Sequence, residues 1–258
     1  MESRSFKPSR KDYRKLSRFS RNFFIVLIVL FFLSIVVWET WYLFFRTTYF
    51  DISKIEIYGN NFVSSEKIKS KSELIVNTNI FNVNGNVVEK KIEALPQIES
   101  AKLERIGLST IRITVKERKP LALILIAGIF YEIDKKNTLF AMHDSNIRID
   151  LPIITGIDLK SIKLGKRIYD RRIIKVTRWL SPISTEYLTR ISEIHFEGDI
   201  MTFRLTTGEK VLVGDVNTFK KLYNLLIATL EKFKNQNLPI DYIDMRFNNE
   251  IVVKPEEI

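Results

Sequence analysis

The sequence predicts an α+β protein hung from one transmembrane helix. A unit of strand-helix-helix-strand-strand order follows the helix. A second α+β domain then carries a mostly antiparallel sheet that ends in a β-hairpin. Three observations lead there. The run FFIVLIVLFFLSIVVWETWYLFF over residues 23–45 carries a single charge, Glu39. In residues 110–117, Ile111, Ile113 and Val115 alternate strictly with Arg112, Thr114 and Lys116, the mark of a sheet with one wet face. Beyond residue 190 the chain breaks into short alternating runs parted by Gly198-Asp199, Thr207-Gly208 and Asn248-Asn249.

The apolar run sets the first element. Phe23 to Trp38 contains no charge, and its sixteen residues span about 24 Å against a hydrocarbon core of about 30 Å. Phe19 and a snorkelling Arg21 on one side, or Trp41 to Phe45 on the other, supply the remaining length. A helix over residues 22–45 is expected. A cleaved signal peptide has a shorter apolar core and a small-x-small site, whereas ETWYLFFRTTYF after Trp38 is bulky. A buried core helix would need a polar face, and none exists. Glu39 reads as an interfacial residue, with an intramembrane carboxylate as the sharper alternative.

Charge sets the orientation. Residues 1–21 hold eight basic and two acidic residues, a net +6 of the chain's +11, while little positive charge follows the run. The positive-inside rule puts this basic tail in the cytoplasm and residues after about 46 outside it. Trp38, Trp41 and Tyr42 then lie at the outer headgroup level. The tail and the helix are the expected lipid contacts, each basic residue near an anionic surface contributing about 1 kcal/mol. The external region has no concentrated basic stripe, so nucleic acid is not an expected partner. The absence of cysteine excludes disulfides, thiolate catalysis and Cys-based zinc sites.

Residues 46–122 form the first external unit. Asp51–Tyr58 reads as a strand closed by Gly59-Asn60-Asn61. Ser64 or Ser65 caps a short helix to about Ser72. Val87, Val88, Ile92 and Leu95 recur at helical spacing until Pro96. Ile98–Arg105 and Thr110–Glu117 are strands. Residues 123–258 form the second domain. Leu121–Tyr131 is nearly all apolar, and Asp134-Lys-Lys-Asn137 reads as a hairpin turn before Leu139 and Phe140. Leu151–Gly156 is a short strand. Asp170 caps a helix carrying Ile173, Ile174, Val176, Trp179 and Leu180, closed by Pro182. A meander follows over Ile191–Glu197, Ile200–Thr206 and Lys210–Val213. Val216–Lys234 is an amphipathic helix, and Asp241–Phe247 with Glu250–Lys254 is the final hairpin.

Catalytic patterns are sparse. There is no G-x-S-x-G elbow, phosphate loop or H-E-x-x-H. His143 and His195 are the only histidines, and His195 falls on a strand as a solvent-facing residue. Ser64-Ser-Glu-Lys67 matches S-x-x-K, the serine nucleophile pattern of penicillin-binding proteins, without its companion motifs; helix capping explains Ser64 equally. Lys166-Arg167 is a turn with solvated charges, and Asp244 with Arg246 reads as a cross-strand ion pair. No cofactor, metal or small-molecule substrate is expected.

The chain resembles the FtsQ (DivIB) family of bacterial cell-division proteins over nearly its whole length. In the first unit the similarity rests on Phe50-Asp-Ile, Ile57-x-Gly59-Asn60, Asn79-Ile-Phe81 and Leu95-Pro96-x-Ile98. Ala101-x-Leu103-x-Arg105 and Ile111-x-Ile-x-Val115-x-Glu117-Arg118-x-Pro120 complete it. In the second domain it rests on Leu151-Pro152-x-Ile-x-Gly156, Tyr242-Ile-Asp244-x-Arg246-Phe247 and Val252-Val253-Lys254. Leu108, Gln97 and the glycine-free tip Lys135-Lys136-Asn137 depart from the family pattern.

The resemblance implies that residues 46–122 form a POTRA domain and that the protein has no enzymatic activity. It also implies a single-pass protein of the cytoplasmic membrane that recruits FtsB and FtsL at the division septum, with the last strand region as docking edge. A sheet-ending hairpin offers unpaired backbone for β-augmentation. Phe247 is the leading partner contact, with Ile251, Val253, Arg246 and Met245 as further candidates; for Ile243 and Met245 core packing is the preferred reading. A POTRA-bearing component of outer-membrane assembly or secretion, and a membrane-anchored cell-wall enzyme, are the alternatives.

Overall fold

The computed structural model describes residues 10–144, 150–159, 161–214, 228, 231–232, 240–246 and 250–255. Helix α1 runs Arg10–Arg46, so it begins well inside the basic stretch and extends through the apolar run. Its apolar window, Arg21–Arg46, has mean hydropathy 2.6 and is 0% buried by protein. That removes the core-helix reading, because a core helix is covered by its own fold.

A 3-10 turn, Thr48–Phe50, leads into β1 (Lys54–Tyr58), α2 (Ser65–Ser72), α3 (Gly85–Glu93), β2 (Ile98–Ile106) and β3 (Thr110–Glu117). The three strands form one sheet in the order β1-β3-β2, with β1 parallel and β2 antiparallel to the central β3. The alternation of β3 drives this layer. Ile111 and Ile113 are fully buried against Ile52, Ile68, Ile80, Ile92 and Ile98. Each such side chain contributes about 1.5–3 kcal/mol by leaving water. Ser64 accepts the Lys67 N–H at 3.2 Å to start α2, and Asn84 accepts the Val87 N–H at 3.3 Å to start α3.

The second sheet has nine strands in the order β12-β11-β10-β9-β8-β7-β4-β5-β6. They are β4 (Ala122–Ile126), β5 (Ile129–Ile133), β6 (Leu139–His143), β7 (Ile153–Thr155), β8 (Ile191–Glu197), β9 (Ile200–Leu205), β10 (Lys210–Gly214), β11 (Ile240–Asp244) and β12 (Val252–Pro255). Five of the pairings are antiparallel; β4 with β7, β7 with β8, and β10 with β11 are parallel. Helix α4 (Arg171–Leu180) covers the sheet with Ile173, Val176, Trp179 and Leu180. Asp170 caps it by accepting the Arg172 and Ile173 N–H groups.

A seam of polar contacts joins the two sheets. The Glu117 carboxylate accepts N–H bonds from Asn61, Phe62 and Val63 at 2.8–3.1 Å. Next to it, Arg118 Nε donates to the Pro96 carbonyl at 3.0 Å and Nη1 to Asp134 at 2.6 Å. Asp134 in turn accepts the Lys136 and Thr138 N–H groups, both at 2.8 Å, which shapes the β5–β6 turn. Glu99 bridges Lys116 at 2.9 Å and Lys136 at 2.8 Å. The Lys136 and Lys116 ammonium groups hold the Glu99 carboxyl down to about 2.

Several expectations shift. The Leu121–Tyr131 run is two strands, reversed at Ala127 and Gly128, both at positive φ. The first strand starts at Lys54, because Asp51 pairs instead with Asn79. Asn137 takes φ +62° and fills the left-handed position for which glycine was missing. Helix α3 ends at Glu93, before Pro96, and α5 (Thr185–Leu188) was not anticipated. Ala228, Glu231 and Lys232 are helical; the rest of the expected Val216–Lys234 helix lies outside the described residues.

Two predictions follow from the seam. Arg118 and Asp134 are 13% and 5% exposed, so Arg118→Ala strands a buried carboxylate and lowers stability by about 3–5 kcal/mol, read by urea denaturation in detergent. For Glu99, the folded pKa lies below the unfolded one, so its contribution is present above about pH 4.5 and lost as pH falls toward about 2. With both lysines about half or more exposed, wild type should lose about 1–2 kcal/mol more than Glu99→Gln between pH 6 and pH 3.

Candidate functional site

The terminal hairpin forms one border of the large sheet. β11 lies parallel to β10, with Lys210 opposite Tyr242 and Leu212 opposite Asp244. The Met245 N–H extends this ladder by donating to Leu212 O at 2.8 Å. β12 pairs antiparallel with β11 through Tyr242–Lys254, Ile243–Val253 and Asp244–Val252. On its other side β12 meets no strand among the described residues.

Alternation on β11 directs Ile243 and Met245 inward, both at 0% exposure in the core of the large sheet. Met245 is therefore corrected from partner-contact candidate to core residue, since an enclosed side chain offers no surface. Ile251 and Val253 are half-buried and pack against the same core. Between them Val252 points out, 46% exposed. Among the described residues it is the exposed apolar side chain of β12, and its facing follows once the register sets Val253 opposite Ile243. Phe247 lies outside the described residues.

Arg246 does reach the surface, with its side chain 53% exposed. Its ion pair with Asp244 is not cross-strand: the two residues are neighbours on one chain segment. Arg246 donates from its backbone N–H at 3.0 Å, from Nε at 2.9 Å and from Nη2 at 2.5 Å. These bonds hold the Asp244 carboxyl below the usual carboxylate range, against the burial that would raise it. Lys254 closes the other side, 3.1 Å from Asp241 and over the Tyr242 ring. Among the described residues of the hairpin, paired polar side chains thus flank the exposed Val252.

Elsewhere on the large sheet, Thr155 Oγ1 donates to Glu193 at 2.7 Å and lies 2.8 Å from His195 Nδ1. His195 is exposed on its strand as expected. Ser64 is engaged as the α2 cap. Among the described residues no cluster of three or more metal-ligating side chains occurs.

Comparison with known proteins accounts for both sheets. A family model described as "POTRA domain, FtsQ-type" matches residues 50–118. Another, "Cell division protein FtsQ/DivIB, C-terminal", matches residues 122–246. Cell division protein FtsQ of Syntrophotalea carbinolica is 28% identical over 215 residues, 81% of this chain and 76% of that protein. Cell division protein DivIB of Clostridium acetobutylicum is 26% identical over 212 residues, covering 80% of this chain and 84% of the relative. The solved major extracytoplasmic domain of DivIB from Geobacillus stearothermophilus is 18% identical, with a TM-score of 0.34, over 45% of this chain and 97% of that one. With a POTRA domain of the FtsQ type followed by the FtsQ/DivIB C-terminal domain, and relatives of both names across most of its length, this chain belongs to the FtsQ/DivIB family of bacterial cell-division proteins.

Proposed function

We propose that the chain is a single-pass scaffold of the division machinery. Its basic tail, residues 1–21, lies in the cytoplasm, residues 22–45 cross the membrane, and residues 46–122 and 123–258 act outside the membrane at the septum. The family is one of cell-division scaffolds and not a known enzyme family. On this reading the outer side of β12 takes an extended segment of a bitopic division protein of the FtsB or FtsL type as a further strand.

The observation that carries the reading is the position of β12 as the terminal strand of its sheet. An unpaired strand edge supplies backbone donors and acceptors that an extended peptide satisfies, and the exposed side chains set which peptide fits. Val252 supplies apolar contact, and Arg246 and Lys254 supply positive charge on either side. Phe247 follows Arg246 directly in the sequence.

Phe247→Ala and Val252→Glu should each weaken binding of purified FtsB- or FtsL-type partners at least about tenfold, a change of about 1.4 kcal/mol, in an affinity titration with the full chain. Unchanged affinity in both variants, with folding intact, would remove the edge model. Hydrogen exchange on the complex should show new protection concentrated in residues 241–254. Separately, a topology reporter fused after residue 60 should be active outside the cytoplasm; a cytosolic signal overturns the orientation.

A further inference from the structure

The junction between α1 and the POTRA unit is a fixed joint. The Asn79 side-chain amide, 7% exposed, donates to the carbonyl of Phe44 at 2.7 Å, an acceptor that the ending helix leaves free. Phe44 stacks on Phe50 at 4.8 Å and 9°, and Phe81 closes on Phe44, Phe45 and Phe50 at 5.2–6.4 Å. The last turn of the apolar helix and the first turn of the external unit therefore share one aromatic cluster.

Three loops surround this joint. The loop after α2 is tied to the start of the unit by Asn77 N–H to Ile52 O and Ile52 N–H to Thr78 O, both at 2.9 Å. The 3-10 turn Ile80–Asn82 is held by Arg105, which donates to the Ile80 and Val83 carbonyls. The β2–β3 turn is tied by Ser53 N–H to Ser109 O at 2.8 Å and by paired hydroxyls at 3.0 Å. Since β1 runs away from α1, all three lie at the helix end of the sheet. Each leaves large apolar side chains bare: Ile75 is 71% and Leu108 62% exposed, with Val76, Phe81 and Ile106 at 37–42%, and Tyr49 beside the joint at 72%.

We propose that this end of the POTRA unit is a membrane-contact surface, on which Tyr49, Ile75, Val76, Phe81, Ile106 and Leu108 enter the headgroup–acyl boundary of the same bilayer that α1 crosses. The inference rests on the reading of α1 as a membrane span. Continuity chooses lipid as the occupant. Phe81 packs on Phe44 and Phe45, which with Trp41 and Tyr42 form the outer aromatic end of the span, where the headgroup layer begins. A rigid joint with several apolar side chains spread around it seats the domain against the interface at a set tilt, because each partitions favourably at that depth.

The chain has no cysteine, so single cysteines at Ile75 and Leu108 can carry an environment-sensitive nitrobenzoxadiazole label. Controls sit at Phe62, 90% exposed at the opposite end of β1, and at Leu30 in the helix. The full-length protein is reconstituted in phosphatidylcholine–phosphatidylglycerol vesicles with shallow or deep doxyl-lipid quenchers. Labels at 75 and 108 should emit to the blue of the label at 62 and lose emission mainly to the shallow quencher; the label at 30 should respond mainly to the deep one. If 75 and 108 behave like 62 while 30 is quenched, the contact surface is refuted and the span stands. If 30 is not quenched, the span reading fails and takes the inference with it. A blue shift at 75 and 108 that ignores lipid quenchers and grows with protein density means a second copy covers the face, which also overturns the proposal.

Discussion

The guanidinium of Arg118 joins two sheets that share no strand. Its backbone N–H donates to Gln97 O at 2.8 Å, its Nε to Pro96 O, and its Nη1 to Asp134. One residue thus fixes the α3–β2 corner of the POTRA unit against the β5–β6 turn of the next domain. Asp134 has its other oxygen committed to two backbone N–H groups of that turn. Removing the cation would leave a buried carboxylate without its counter-ion, so the cost falls on both units at once. Glu117, one residue earlier, ties the β1–α2 loop to the end of β3 within the first unit.

A second constraint occurs twice. β1 and β7 are short strands parallel to a longer neighbour, and each ends in a glycine at positive φ. A Cβ on Gly59 would lie 2.2 Å from Val115 O, and one on Gly156 1.9 Å from Phe196 O. Both distances are far inside contact, with rigid backbone on the other side, so only glycine lets the chain leave the strand there. The two domains stop a parallel strand by the same device.

Much of the fold was legible because its signals are local. The alternation of Ile111, Ile113 and Val115, the caps Ser64 and Asp170, and the meander turns each act within a few residues. What was not legible depends on partners distant in sequence. Ala122–Ile126 is covered on both faces and has lost its alternation, so the reversal at Ala127-Gly128 left no periodic trace. The left-handed conformation of Ala127 is unusual for a residue with a side chain and cannot be read from its identity. At the candidate site the hairpin itself was visible, but the facing of Ile251, Val252 and Val253 follows only once the register against β11 is known. A slip of one residue exchanges inward and outward sets. The Asp244–Arg246 pair shows the same limit, since spacing alone cannot tell a cross-strand partner from a neighbour on one segment.

How the sheets treat their edges bears on where a partner would bind. The outward N–H groups of β2 at Ala101 and Leu103 are occupied by the Glu93 and Glu89 carboxylates of α3, at 3.1 and 2.8 Å. A carboxylate in that position accepts the donor and repels an incoming carbonyl, which closes the edge to strand addition. β6 is covered along its first residues by the segment around Gly165–Ile168, through Leu139 N–H to Lys166 O and Gly165 N–H to Leu139 O. Even the approach to β1 is shielded by Asn77–Asn79 on Ile52. Against those covers, β12 has none among the described residues, and its side chains grade from packed Val253 to exposed Val252 within one step. Among the described residues, β2 and the start of β6 are blunted by carboxylates and a loop segment, whereas β12 carries no such cover. On the reading proposed above, that asymmetry supports strand addition at β12 over β2 and β6.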